Sequence, residues 1–341
     1  MRDGTLLLGN STVSVLGTIV SGPIGTGVLT LENGTTVAAA IPSVTLANNI
    51  DLTGNAQIGA GPADANALNL TGQITGAGNI TYSANSAGSF TLGGSNSYYG
   101  STTINGGTVF AANDQAFAPG NPVIVDAQGG QTANLSVNSG VTIANPIASI
   151  GSGNVISGSG TIASAVTING TVMLSPGNPL GSPLGTLAFS NGLTLATNGS
   201  ISFNLIDANG APGTGFGSFS VTGGTLNMTA GAGSLAFNVN TINASGAPAM
   251  AVNFSSGNSY SWMFASSSSA ISGFLPGGTQ FNILTAGFMN PTNGGTFSIS
   301  EVGMDQLFLN FTPVPEPQTW ALLGLGVLAV VPFALRRRRR A

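Results

Sequence analysis

The 341-residue chain has no cysteine, no histidine and no lysine. Without thiols, neither disulfides nor thiolate metal sites can hold the fold, so packing and backbone hydrogen bonds must. With no histidine and no lysine to act as the base, Ser-His, Cys-His and Ser-Lys nucleophile pairs are excluded as well. The six basic residues are Arg2 and the block Arg336, Arg337, Arg338, Arg339 and Arg340. Residues 1–312 therefore set one base against nine acids, Asp3, Glu32, Asp51, Asp64, Asp114, Asp126, Asp207, Glu301 and Asp305, a formal charge of −8. A body with no means of neutralising phosphates has no nucleic-acid partner.

What is present is glycine, 52 residues of it, within a chain that is 42% hydrophobic and only 5% charged. Disordered chains combine low hydrophobicity with high net charge, and this composition is the reverse. Short segments alternate apolar residues with Thr, Ser or Asn at period two, as in 27–31, 43–46, 67–71, 140–143, 165–168 and 192–195. That alternation predicts strands with one buried face. Between them lie Asn-Gly and Gly-Gly pairs at 33–34, 105–106, 169–170, 191–192, 198–199 and 223–224, which supply positive φ at sharp corners. Strand, glycine-rich corner and strand recur in units of roughly twenty residues, the mark of a solenoid, with a β-sandwich as the rival architecture.

Residues 92–109, reading Leu-Gly-Gly-Ser-Asn-Ser-Tyr-Tyr-Gly-Ser-Thr-Thr-Ile-Asn-Gly-Gly-Thr-Val, resemble the autotransporter-associated β-strand repeat. The stretch 156–195 resembles a neighbouring unit, with a duplicated Pro-Leu-Gly at 179–181 and 183–185 expected to form a longer corner loop. The resemblance implies a right-handed parallel β-helix over 1–250. From Ala251 to residue 312 the texture changes, with Phe254, Tyr260, Trp262, Phe264, Phe274, Phe281, Phe288, Phe297, Phe308 and Phe311 crowded together. Such rings can cover the open end of a solenoid, so a terminal β cap is expected there.

The body offers little chemistry. Asp114 and Asp126 could project from one coil as a glycosidase pair, although acids on turns are far commoner. Asp51 and Asp64 could hold a structural ion weakly, but no calcium-binding nonapeptide accompanies them. The strings Gly76-Ala77-Gly78 and Gly151-Ser152-Gly153 lack the lysine and helix start of a phosphate cradle and read as corners. Ice binding would want regularly spaced Thr-x-Thr pairs, of which the body has none. No catalytic residue, metal or cofactor is expected, and the body reads as non-enzymatic.

The C-terminus carries the sharpest signal: Val314, Pro315, Glu316 and Pro317, then an apolar run bounded by Trp320 and Leu335, then the five arginines. The two prolines keep the segment ahead of the run extended. As a helix the sixteen-residue run would rise roughly 24 Å, short of a ~30 Å hydrocarbon core. The sequence nevertheless predicts a transmembrane helix, with Trp320 at the outer interface and the arginines as a cytoplasmic stop. These three features in this order resemble the PEP-CTERM sorting signal of Gram-negative bacteria, over residues 313–341. The resemblance implies recognition by an exosortase-type membrane enzyme, cleavage near Pro-Glu-Pro and a setting of exopolysaccharide and biofilm.

The expected course is a transient stay in the inner membrane, then the cell surface or extracellular matrix, with matrix glycans as partners. An uncut C-terminal anchor is the alternative for the tail. For the body the alternatives are an autotransporter-like adhesin, an ice-binding solenoid or a polysaccharide-active enzyme. The start, Met1-Arg2-Asp3-Gly4-Thr5-Leu6-Leu7-Leu8, makes a poor signal peptide, because its apolar stretch is soon broken by Asn10, Ser11, Thr12 and Ser14. A leader upstream of Met1 is therefore expected.

Overall fold

The computed structural model of the protein describes residues 3–61 and 63–314. Almost all regular structure among them is β, the exception being a single 3-10 turn at Pro276–Gly278. Strands pair in parallel with strands one coil further along the chain. Leu29–Leu31, Thr35–Ala39 and Ser43–Leu46 make one coil, and Ile50–Leu52, Ala56–Ile58 and Ala67–Leu70 lie on it in register. The pairs Leu29↔Ile50, Thr35↔Ala56 and Ser43↔Ala67 set the coil length at 21, 21 and 24 residues. Non-strand segments keep the same stacking: Ser97 N and Tyr99 N donate to the carbonyls of Ile74 and Gly76, both at 2.9 Å.

The period-two alternation explains why the coils stay in register, since a one-residue slip would turn every apolar side chain outward. The longest sheet has ten strands, from Ser43–Leu46 to Phe281–Gly287. One inward position runs its whole length as Val44, Leu68, Phe90, Val109, Leu135, Ile156, Leu174, Ile201, Phe237 and Ile283. All but Ile283 are buried, each burial contributing about 1.5–3 kcal/mol relative to exposure. Because hydrophobic stacking repeats at every step, the core is a column that needs no disulfide.

Corners are joined by asparagines. Asn96 is buried; its Oδ1 accepts from Ile74 N at 2.8 Å and its Nδ2 donates to Ala116 O at 2.6 Å, so one side chain bridges three coils. Asn145 Nδ2 likewise donates to the carbonyls of Ala118 and Asn121, at 2.8 and 2.9 Å. A buried backbone group left unpaired would cost about 1–3 kcal/mol, which these amides prevent. In the Asn-Gly corners, positive φ falls on the glycine at Gly34 (80°) but on the asparagine itself at Asn198 (63°). The duplicated Pro-Leu-Gly segment lies between Thr171–Pro176 and Thr186–Phe189, with Leu180 exposed and Leu184 buried.

The expected fold class requires a correction. It ended in a transmembrane helix, yet among the described residues no helix is long and apolar enough to cross a membrane, and the fold is all-β with parallel sheets. The run from Trp320 to Leu335 lies outside the described residues. Its own chemistry gives the physical reason for withdrawing the assignment. Sixteen residues fall short of the ~20 a span requires, and Gly324, Gly326 and Pro332 interrupt them. At the other end, Gly4–Leu8 forms a strand paired with Thr35–Ala39, so the apolar start is built into the sheet.

Candidate functional site

The parallel stacking changes character where the tail begins. Tyr260–Ser267 lies parallel to Ser218–Val221 on one side. On its other side it pairs antiparallel with Gln306–Thr312, which pairs antiparallel in turn with Thr296–Val302. Gln306–Thr312 is therefore an interior strand, with a neighbour on each side. Its alternation of Leu307, Leu309 and Phe311 inward with Phe308 and Asn310 half-buried is the simple period-two pattern.

Phe311, the last buried residue before the tail, is enclosed by rings. Phe254, Phe297 and Tyr260 lie 5.0, 5.1 and 6.4 Å from it, and Phe288 lies 5.0 Å from both Phe254 and Phe297. Most of these contacts are edge-on or tilted, the arrangements a ring quadrupole favours. Tyr260 stacks on Trp262 at 5.3 Å and 7°. Polar ends are satisfied: Trp262 Nε1 donates to Ala208 O at 2.9 Å, and the Tyr260 hydroxyl donates to Asn253 O and accepts from Ser255 N. Gly295 completes the enclosure, because a Cβ there would lie 2.3 Å from the Phe311 Cζ.

Beyond this lock the chain opens within three residues: Thr312 is exposed, Pro313 half-buried and Val314 54% exposed. Val314 is thus the one residue of the expected sorting element whose surroundings are described. Pro315, Glu316, Pro317, Trp320, Leu335 and Arg336, Arg337, Arg338, Arg339 and Arg340 lie outside the described residues.

The carboxylates singled out in the sequence do not converge. Asp114 follows the strand Gly107–Ala111 and accepts from Thr142 N at 2.8 Å, whereas Asp126 follows Val123–Val125 in a different sheet. Asp64 is buried in a loop it organises, accepting from Ala60 N and Asn66 N at 3.0 Å each. Asp51 sits mid-strand in another sheet. Among the described residues, no three acidic or other metal-ligating side chains are grouped to hold an ion.

Sequence reasoning missed two buried phenols. Burial pushes the Tyr82 hydroxyl well above the usual tyrosine range, with a smaller contribution from Tyr98. Burial also raises Tyr98, partly offset by its hydrogen bond to Thr102. The Tyr82 oxygen has no hydrogen-bond partner among the described residues. Its inward direction was readable from the period-two pattern of 80–82, but the absence of a partner was not.

The exit at Val314 coincides with a known signal. Residues 313–339 match the PEP-CTERM protein-sorting motif. The match begins one residue past the last strand, so motif and fold meet without overlapping. The PEP-CTERM motif indicates a protein sorted by an exosortase, a membrane enzyme, to the surface of a Gram-negative cell. No curated protein matches the chain.

Proposed function

We propose that the chain is a non-enzymatic surface or matrix rod whose PEP-CTERM tail is cut near Val314 to Pro317 after delivery to the membrane. The observation that carries this reading is the abrupt boundary at 311–314. A processing enzyme needs an accessible peptide, and the chain is already 54% exposed at Val314, three residues past the ring-enclosed Phe311. A cut at this position severs no element of the solenoid, so the body leaves intact.

The matrix part of the proposal draws on the outer face. Thr36, Gln57, Thr81 and Thr103 occupy successive coils at one outward register position, spaced about 4.8 Å apart. Hydroxyls and amides in file can hydrogen-bond an uncharged glycan without basic residues. The test is the intact mass and location of the protein expressed in its native host. An extracellular form that ends between residues 313 and 317 is expected; a full-length protein retained in the inner membrane would sink the proposal.

A further inference from the structure

The corner from which the tail departs is also the place where apolar side chains crowd onto the surface. Met250, Val252 and Met289 are 63%, 55% and 54% exposed, and half-buried Phe254 and Phe288 lie among them. These residues come from two loops that are pinned together. Ala251 and Asn290 exchange hydrogen bonds at 2.7 and 3.0 Å, and Asn293 Nδ2 reaches Ser256 Oγ at 2.8 Å. Through Phe254 the rim joins Phe311, three residues before Val314. It is a fixed apolar surface, not the loose side chains of a frayed end.

Two further observations indicate what covers it. Only residues 315–319 separate Val314 from Trp320, six Cα steps that reach about 20 Å at most. Whatever takes up the apolar run of the tail therefore holds this rim close by, within reach of the ~5–8 Å headgroup layer that flanks a hydrocarbon core. The described residues also include no Lys, Arg or His, while Asp207 lies beside the rim, bonded to Asn253 Nδ2 at 2.8 Å. The rim itself therefore offers anionic headgroups no attraction, and what it contributes is burial of thioether, valine and aromatic surface.

We infer that the rim formed by Met250, Val252, Phe254, Phe288 and Met289 is a lipid-contact surface that rests in the membrane interface while the tail is attached. The inference rests on delivery of the tail to the membrane. It makes the rod's orientation a property of the body as well as of its tether. The rim's own contact with lipid does not depend on lipid charge, and after cleavage the rim is too small to hold the body at the membrane unaided.

The chain has no cysteine, so single labels are unambiguous. Full-length Met289→Cys and Tyr99→Cys proteins carrying a polarity-sensitive fluorophore would be reconstituted with phosphatidylcholine vesicles containing lipids brominated near the headgroup. Residue 99 is a fully aqueous reference, 82% exposed and six coils from Phe281–Gly287, about 29 Å along the stack. Expected are flotation of both proteins, a blue shift and quenching at 289, no change at 99, and loss of the 289 signal on adding Met250→Glu. Flotation with equal, water-like signals at both sites would overturn the inference and leave sorting untouched. Failure to float would remove the membrane delivery on which it depends. A 289 signal that appears only when the processing enzyme is co-reconstituted would make the rim an enzyme surface and overturn lipid contact.

Discussion

Gly295 and Phe311 are packed so closely that a methyl group on the glycine would lie 2.3 Å from the ring. Gly295→Ala must displace Phe311 or the backbone that leads into the strand Thr296–Val302, and overpacking of this kind costs about 1–3 kcal/mol. Gly231→Ala is the control, since a Cβ there meets nothing within 4 Å and its φ is not positive. Urea midpoints should fall for the first substitution and hold for the second.

Asn96 ties Ile74 to Ala116, and Asn96→Ala would leave both backbone groups unpaired in a buried corner. A destabilisation of about 2–4 kcal/mol is expected. Asn69→Ala, at a half-buried outward site, should cost well under half as much. Chemical denaturation of the two variants decides this; equal losses would mean that the intercoil bridge carries no special weight.

Tyr82 and Tyr98 make stability fall in alkali. Their folded hydroxyls hold protons more tightly than those of the unfolded chain, so the unfolded state binds fewer protons once pH passes about 10. Stability is therefore fully present below pH 10. Above it, the loss is about 1.4 kcal/mol per pH unit for each tyrosine until the folded group titrates. Tyr82→Phe should flatten this slope. It should also be neutral or slightly stabilising at pH 7, because it removes a buried oxygen with no partner among the described residues. Urea titrations from pH 8 to 11 test both statements.

Replacing Arg336 to Arg340 with neutral residues should impair membrane retention and processing, so that uncut chain accumulates. Pro315→Ala with Pro317→Ala should slow cleavage without altering the stability of the body, because the solenoid ends before either residue. Intact-mass profiles of cell fractions report both effects; unchanged profiles would remove these residues from the signal.

Period two located the strands at 43–46, 67–70 and 193–195 to within a residue, because one buried and one exposed face is a local property. The role of Asn96 was not legible. Its partners lie 22 residues before it and 20 after it, and only the coil register brings them together. The sorting element could be read directly, since its order of proline, apolar and basic residues is linear. The exit that presents it could not, because Phe254 and Phe311 are 57 positions apart and meet only after the strands reverse direction. The tail's hydrophobicity suggested a spanning helix, while its length and Pro332 argued against one.

The placement of Gln306–Thr312 between two antiparallel neighbours also has a mechanical meaning. Hydrogen bonds in such ladders run perpendicular to the strands. A drag on the tether at Val314 pulls along the strand axis, across the bonds on both sides together, so they resist as a group. A tether leaving from an outermost strand and pulled sideways would part its bonds one after another. While the tail is attached, the body is thus held by an interior strand, the kind that is hardest to peel away.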